Sequence, residues 1–446
     1  MAFLVLRIYF DMNRYILIFL FSYLLTGCFT IENRYTGIPP GTWRGTLDVN
    51  PIVGGPPVAD LEAQQYNYYD TPPNYLPFTF DIVYENDTDF YVELINGEER
   101  IPVKDVSFGR KKSTNKDTFL IEFPIYDAYI EGIYSERVMQ GHWVVNYKKN
   151  YAVPFVAKYG KNYRFTQLKE EPVMDVSGKW TVQFEDSSGP YPGVGVFKQE
   201  GNHLTGTFLT ETGDYRYLEG TIQKNKLFLS VFDGSHAFLF EAKILEDQTM
   251  IGSFKSGKHY QATWTGKKED NAKLADPNSL TFLKEGYDQL EFAFPNVAGE
   301  IIKLGDERYK NKVKLVQIFG TWCPNCRDET RFLVDYLKKK PSKDLEVIGL
   351  AFEKYKDADK SIAAINRYQQ RMNIPYELLL AGDADKKEAA KALPMLNHIL
   401  AYPTLIFIDK NNKVRKIHTG FSGPATADYK LFGEEFDATI TKLLAE

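Results

Sequence analysis

Two cysteines separated by two residues are the side chains of this chain best suited to chemistry, in the stretch FGTWCPNC, residues 319–326. They follow an apolar run, 313–319, and precede apolar residues spaced three and four apart, which indicates a strand leading into a helix. Amides at a helix N-terminus stabilise an anion, so the thiolate of Cys323 is favoured. The short spacer lets Cys326 attack a mixed disulfide formed at Cys323. The motif therefore predicts a dithiol that cycles between its reduced and oxidised forms.

A zinc site and a static disulfide are the other interpretations of this pair. A zinc site needs two further ligands, and the two histidines that follow the motif, His398 and His418, stand alone rather than at ligand spacing. The earlier histidines are also scattered singly, at His142, His203, His236 and His259. We expect no metal and no other cofactor. A cycling pair is favoured over a static disulfide, which stays open as an alternative.

The third cysteine, Cys28, ends a stretch typical of an exported lipoprotein. A short positive region, 12–14, precedes an apolar region, 15–24, and the sequence LTGC at 25–28 resembles a bacterial lipobox. We therefore expect residues 1–28 to be a signal peptide, with cleavage before Cys28 and lipid on this residue. An ordinary membrane anchor or a chance cysteine are the alternatives. The expected location is the cell envelope, anchored in the lipid bilayer through Cys28 and facing the periplasm.

Length and charge exclude some classes of protein. A chain of 446 residues predicts two or three domains. Its net charge of -5 gives neither a basic surface for nucleic acid nor an acidic tail, so no nucleic-acid partner is expected. Aromatic residues make up 15% of the chain, and many lie before Trp264 in segments that alternate apolar and polar residues. This alternation is typical of antiparallel strands with one face in water.

The β-rich region divides into two similar parts, residues 29–170 and 171–267. Each begins with a Gly-x-Trp strand and ends with a strand that contains tryptophan; the four residues are Trp43, Trp143, Trp180 and Trp264. We expect these parts to be two repeats that form small barrels, or one continuous barrel-like meander. A barrel lined by aromatic residues could hold an apolar ligand. A filled barrel that spaces the redox domain from the membrane or docks a partner is the favoured hypothesis.

The C-terminal part has a different pattern. Residues 268–290 read as a polar linker, with a helix expected over 279–291. Residues 291–446 alternate strands and helices, which predicts a mixed sheet covered on both faces. The expected fold class is therefore multidomain, with an N-terminal all-β, barrel-like region and a C-terminal α/β domain.

Several short motifs of this α/β domain occur together in one family. They are FPN at 294–296, Gly299, the cysteine motif, Glu329, the strand 346–353, YPT at 402–404 and HTGFSGP at 418–424. With them, residues 292–446 resemble the TlpA-like thiol-disulfide oxidoreductases of bacterial envelopes. The resemblance implies a thioredoxin fold and thiol-disulfide exchange.

The resemblance also implies roles for the cysteines and for one acid. Cys323 would be the attacking thiolate, exposed at the start of the helix, and Cys326 the resolving thiol. Glu329 would accept the proton of Cys326. The alternative for Glu329 is a solvated carboxylate on the helix face.

Three further residues would shape the substrate site. Pro403 would be a cis-proline facing the cysteine pair, so that the backbone of Tyr402 pairs with the extended chain of a substrate. The alternative is a trans-proline at the start of an edge strand. Trp322 would cover the disulfide and shape the docking surface.

Two positions depart from related families. Gln317 stands where thioredoxin has a buried acid, and an amide cannot take a proton at neutral pH. Gly320 stands where a peroxiredoxin would have Thr or Ser. We therefore expect a membrane-anchored enzyme that reduces protein disulfides through its Cys-Pro-Asn-Cys pair. Its partners would be protein thiol or disulfide clients and a membrane electron donor or acceptor. A ligand- or partner-binding lipoprotein with an accessory redox domain is one alternative, and a thiol peroxidase is another.

Overall fold

The structure, a computed structural model, describes residues 37–50, 72–113 and 115–446. The expected signal peptide and Cys28 lie outside these residues. The described chain has an N-terminal all-β region followed by a C-terminal α/β domain, which confirms the expected fold class. No helix within these ranges is long and apolar enough to cross a bilayer.

The first β unit is a single sheet of nine antiparallel strands. The strands are β1 (Gly41–Asp48), β2 (Tyr75–Tyr84), β3 (Phe90–Asn96), β4 (Glu99–Val103), β5 (Val106–Lys111), β6 (Lys116–Phe123), β7 (Ala128–Ser135), β8 (Val138–Val145) and β9 (Ala152–Tyr159). Their order is β4-β3-β2-β1-β9-β8-β7-β6-β5, so the first strand pairs with the last. β4 and β5 are the two edges, and the sheet stays open between them.

The second β unit closes into a barrel. Its strands are β10 (Gly178–Asp186), β11 (Gly189–Glu200), β12 (His203–Thr210), β13 (Gly213–Asp214), β14 (Leu218–Gln223), β15 (Lys226–Phe232), β16 (Ala237–Ile244), β17 (Met250–Ser256) and β18 (Tyr260–Lys268). β10 pairs with β18, and β11 pairs with β12. Aromatic rings fill the interior, where Phe240 stacks on Phe208 and Phe254 with centroids 4.4 and 4.3 Å away. A small barrel filled in this way is a packed core.

The two β units are built alike around their first tryptophan. The indole of Trp43 donates a hydrogen bond to the carbonyl of Pro39 at 3.2 Å, and that of Trp180 donates to the carbonyl of Val176 at 2.8 Å. In both cases the acceptor lies four residues earlier. All four tryptophans outside the cysteine motif are buried. The two units end differently, since β9, which has no tryptophan, follows the strand of Trp143, whereas β18 with Trp264 is the last strand of the barrel.

The two units share a core through strand β15. Its odd-numbered apolar residues, such as Leu229, point into the barrel, whereas Phe228 and Phe232 pack against the first sheet. The ring of Phe232 lies 4.5 Å from that of Phe78 on β2. The side-chain amide of Asn96 also donates to the carbonyl of Phe232 at 2.9 Å. The β region is therefore one packed body, with the outer face of the barrel seated in the open sheet.

The C-terminal domain contains a two-stranded and a five-stranded sheet with helices around them. Its strands are β19 (Ala293–Pro295), β20 (Ile301–Lys303), β21 (Val313–Phe319), β22 (Leu345–Glu353), β23 (Glu377–Asp383), β24 (Thr404–Ile408) and β25 (Val414–Thr419). The helices, including a short one before this domain, are α1 (Pro277–Leu280), α2 (Pro324–Lys339), α3 (Ala358–Met372), α4 (Lys386–Ala392) and α5 (Asp428–Ala445). The larger sheet has the order β23-β22-β21-β24-β25. Every residue of the central strand β21 is buried.

The helix expected over 279–291 is wrong. Only α1 forms, and Gly286 has a φ of 88°, which a right-handed helix does not allow. The segment instead pairs with the α/β domain, since Leu283 bridges to Leu396 and the amide of Lys284 donates to the carbonyl of Met395 at 2.8 Å. Tertiary hydrogen bonds here replace those of a helix.

Candidate active site

The cysteine pair lies where the central strand passes into a helix. After β21 ends at Phe319, a short loop leads to α2, which begins at Pro324 with Cys323 as its N-cap. The two cysteines are joined by a disulfide, with their Cα atoms 5.2 Å apart. The amide of Cys326 points at the sulfur of Cys323 at 3.2 Å. An amide in this position stabilises a thiolate on Cys323 once the disulfide is reduced.

The structure places the predicted proline beside this sulfur. The Tyr402–Pro403 peptide bond is cis, as the resemblance implies. The carbonyl oxygen of Tyr402 lies 3.4 Å from the sulfur of Cys323. The amide of Gly420 donates to the carbonyl of Pro403 at 2.9 Å, which ties the proline loop to the segment after β25. Cys323, Tyr402 and Pro403, which are distant in sequence, are thus brought together.

Trp322 flanks the disulfide and is half-buried. Its indole donates to the carbonyl of Phe352 at 3.0 Å, and its ring lies 5.5 Å from that of Tyr402. This position depends on Gly320, because a Cβ there would lie 2.3 Å from the indole nitrogen. A Thr or Ser at residue 320, the residue type of a peroxiredoxin, does not fit beside Trp322 in this arrangement.

Glu329, three residues after Cys326 on α2, is fully buried, so its interpretation as a solvated carboxylate is wrong. One oxygen accepts a hydrogen bond from the side-chain amide of Gln317 at 2.9 Å. Its other oxygen has no hydrogen-bond partner among the described residues. Burial raises the pKa of Glu329 to about 8, and the bond from Gln317 offsets only part of this effect. A carboxyl with such a pKa can exchange protons with a thiol near neutral pH.

Gln317 belongs to a buried polar chain that holds Glu329 in place. The hydroxyl of Thr330 donates to the side-chain amide oxygen of Gln317 at 3.2 Å, and the hydroxyl of Tyr368 donates to that of Thr330 at 2.9 Å. The amide of Gln317 therefore orients the acid while adding no charge of its own.

A second buried acid, Glu353, supports the loop before the cysteines. Its carboxylate accepts from the amide of Thr321 at 3.0 Å and from the hydroxyl of the same residue at 2.8 Å. Burial raises the pKa of Glu353 to about 7, against the opposing effect of these two hydrogen bonds. Glu353 was not among the predicted site residues. An acid that ends the long apolar strand 345–352 was the signal that could have identified it.

The exposure expected for Cys323 is wrong in this structure. Only 6% of Cys323 is accessible, and Cys326 is fully buried. The barrel contributes to this burial through residues 211–216 and 233–236, here named the active-site cover. Within it, the hydroxyl of Ser235 donates to the carbonyl of Trp322 at 3.2 Å. The side chain of Asn325, between the cysteines, donates to the carbonyl of Asp214 at 3.1 Å.

A buried guanidinium fastens the cover to helix α2. Arg216 is 4% exposed in its side chain and forms ion pairs with Asp328 at 2.5 Å, Glu99 at 2.6 Å and Asp233 at 3.2 Å. These carboxylates belong to the α/β domain, the first sheet and the barrel, respectively. One arginine therefore joins all three parts of the molecule within a few residues of Cys326. These residues were not predicted as site residues, because nothing in the sequence links them to the motif.

Comparisons with known proteins match the C-terminal part of the chain. Residues 286–417 match the AhpC/TSA family. The chain is 25% identical over 149 residues to the thioredoxin-like protein YneN of Bacillus subtilis (strain 168). The matched stretch covers 33% of this chain and 79% of that protein. It is 25% identical over 150 residues to the thiol-disulfide oxidoreductase ResA of the same strain, with 34% and 74% covered.

Among solved structures, a thiol:disulfide interchange protein of the thioredoxin family from Chlorobium tepidum TLS covers 36% of this chain and 98% of its own, with 21% identity and a TM-score of 0.28. The sequence matches point to the same domain as the fold and the geometry of the cysteine pair. The C-terminal part of the chain is a thioredoxin-fold domain of the TlpA-like thiol-disulfide oxidoreductases.

Proposed function

We propose that this protein reduces disulfides of protein clients at the envelope membrane, with Cys323 and Cys326 as the reacting pair. The observation that carries this function is the position of Cys323, at a helix N-terminus and 3.4 Å from the carbonyl of Tyr402 before the cis-proline. The helix N-terminus favours a thiolate on Cys323, and the segment before the cis-proline offers backbone groups to an extended substrate chain. Together they favour attack on a disulfide held in a polypeptide.

The reaction proceeds in two exchanges. The thiolate of Cys323 attacks one sulfur of the client disulfide; that bond breaks, a mixed disulfide forms, and the other client sulfur leaves as a thiolate that takes up a proton. Cys326 then gives its proton to Glu329 and attacks the sulfur of Cys323. The mixed disulfide breaks, the second client sulfur leaves, and the Cys323–Cys326 disulfide forms. The client gains two electrons and the enzyme loses two.

The enzyme must then be reduced again, which requires an electron donor. An anchor at Cys28 would hold the protein beside a membrane donor, and the lipobox at 25–28 supports this placement. The β region would then separate the redox domain from the bilayer. Its filled barrel favours this role over storage of an apolar ligand.

The equilibrium potential of the cysteine pair tests the direction of the reaction. We expect a value near that of thioredoxin, about -270 mV, when the protein without residues 1–28 is equilibrated with glutathione. A value near about -120 mV would identify a disulfide donor and contradict reduction as the function. A value below about -300 mV would indicate a static disulfide.

A thiol peroxidase is the second candidate, because the matched family is AhpC/TSA. Gly320 argues against it, since no hydroxyl is available at that position. The reduced protein should therefore turn over a disulfide-containing protein faster than hydrogen peroxide.

The binding-module alternative is tested by replacing Cys323 with Ser in cells. A phenotype equal to that of a full deletion supports the enzyme, and little loss supports the binding module.

A further inference from the structure

Three lysines lie beside the cysteine pair, where the β region meets the α/β domain, and we name this site the cationic crevice. Lys148 comes from the β region, and Lys354 and Lys386 come from the α/β domain. His259, beside Lys148, is uncharged at neutral pH, because burial and the charge of Lys148 lower its pKa to about 3. The ammonium of Lys148 lies 3.2 Å from a ring nitrogen of His259 and 4.6 Å from the ring centre of Tyr151. Because two separate parts of the chain supply them, these charges form a site only in the folded molecule.

The crevice adjoins Cys323 through Trp322. The ammonium of Lys354 lies 4.3 Å from the centre of the Trp322 ring, which itself packs against Tyr402. On the barrel side, Ser235 bonds to the backbone of Trp322. Tyr147, the neighbour of Lys148, packs edge-on against Tyr355 with centroids 6.4 Å apart. A substrate that reaches Cys323 past Trp322 therefore passes these cations.

The lysines of the crevice are not neutralised by the protein. Among the described residues, Lys148, Lys354 and Lys386 form no ion pair with a carboxylate. The nearby Asp383 is paired with Lys356, and Asp385 accepts from the first amides of α4. Burial and the charge of Lys354 lower the pKa of Lys148 to about 8, and the same two causes lower the pKa of Lys386. The three lysines therefore remain largely positive at neutral pH.

We propose that this cationic crevice binds a carboxylate-bearing polypeptide segment next to the client's disulfide, so that the enzyme prefers acidic clients. The inference rests on the proposed function and names its substrate class. A polypeptide is favoured over a small anion because Lys354 lies on Trp322, which packs against Tyr402, where an extended chain can pair with the backbone. The chain as a whole has a net charge of -5, so this local positive site selects clients that the rest of the surface repels.

The test compares two synthetic peptides that contain the same internal disulfide, flanked either by Asp and Glu or by Asn and Gln. The reduced full-length protein is mixed with each peptide, and the second-order rate of reduction is measured at low and high salt. We expect the acidic peptide to react about tenfold faster at low salt, with most of the difference lost at high salt. Lys148→Gln and Lys354→Gln should each lower the rate with the acidic peptide about threefold to fivefold more than the rate with the neutral peptide.

Lys339→Gln is the matched control, because it removes the same charge at the far end of helix α2 and should leave both rates unchanged. Equal rates for the two peptides, or equal losses for both in the crevice variants, would overturn the inference while the proposed function stands. Reduction of neither peptide by the wild-type protein would instead overturn the proposed function.

Discussion

Under the proposed mechanism, Glu329 accepts the proton of Cys326 each time the disulfide forms. We predict that Glu329→Gln slows release of the client from Cys323 by about 100-fold, because the variant removes the buried proton acceptor. The first attack, by the thiolate of Cys323, should change little. Acid quenching followed by mass spectrometry would then show the mixed disulfide accumulating. The wild-type release rate should rise with pH up to about 8, the pKa of Glu329, and the variant should lose this rise.

Glu291→Gln is the control for this experiment, since it makes the same change at an exposed position outside the motif. A variant at Glu329 that slows both exchanges equally would point to a structural role alone, and so would an unchanged pH profile.

The two buried acids also predict how stability depends on pH. Folding raises the pKa of Glu329 to about 8 and that of Glu353 to about 7, well above the value of about 4.3 for an unfolded glutamate. Between these values the folded state binds more protons than the unfolded state, so the free energy of unfolding falls as the pH rises. The contribution is fully present below about pH 4.3 and is lost by about pH 8.

We therefore predict that the oxidised wild-type protein loses about 4 kcal/mol more than Glu329→Gln when the pH rises from 5 to 8.5. Urea unfolding at the two values measures this difference. Parallel losses in the two proteins would show that Glu329 ionises in the folded state as it does in the unfolded chain.

Residues whose chemistry is encoded locally could be predicted from the sequence. Cys323, Cys326 and Glu329 lie within one helical start, and Pro403 sits in a recognisable motif. Asp214 and Ser235 touch the same site but lie more than 80 residues before it. Their positions depend on how the barrel packs against the α/β domain, which no local pattern encodes.

At the scale of elements, the alternation of apolar and polar residues predicted strands such as β2 and β15 but did not predict others. β9 was not among the predicted strands; it contains Pro154, and a proline cannot donate a hydrogen bond to a neighbouring strand. β1 pairs only with residues 155–159 of β9, so no backbone N–H is required toward β1 at Pro154. The helix predicted in the linker does not form, because the apolar residues of this segment contact the α/β domain instead of lining one face of a helix.

The short strand β13 brings the barrel against the cysteine motif through Gly213. This residue has a φ of 132°, and a Cβ there would lie 2.2 Å from the side-chain nitrogen of Asn325 and 2.8 Å from the carbonyl of Phe421. We predict that Gly213→Ala destabilises the protein by about 1–3 kcal/mol more than a strained backbone alone requires. Thermal or urea unfolding of the purified variant measures this loss.

Gly189→Ala is a closely matched control, because Gly189 has a φ of 113° in the same barrel and a Cβ there would meet nothing within 4 Å. Equal losses for the two variants would mean that the contact between Gly213 and Asn325 is absent in solution.

The whole molecule is held together by polar contacts between the β region and the α/β domain. Arg371 on α3 bonds to Asp105 with both terminal nitrogens, at 2.9 and 2.8 Å. Arg367 on the same helix donates to the carbonyl of Pro124 at 2.6 Å. On the other side of the site, Arg216 pairs with Asp328 of α2. The β region therefore contacts the α/β domain on both sides of the cysteine pair, and a large protein can reach Cys323 only when these contacts loosen.

This arrangement predicts that reagent size controls the reactivity of Cys323. In the reduced wild-type protein, a small maleimide should alkylate Cys323 at least about tenfold faster than the same maleimide on a long polymer, relative to their rates with a free thiol. Asp328→Asn keeps the side-chain shape but removes one partner of Arg216, which weakens the attachment of the active-site cover. In this variant, we expect the ratio of the two alkylation rates to fall by about fivefold. Asp335→Asn makes the same change at an exposed position of α2 and should leave the ratio unchanged. A wild-type protein that reacts equally with both reagents would show that the cover already stands open in solution. Protein clients would then reach Cys323 without any movement of the β region.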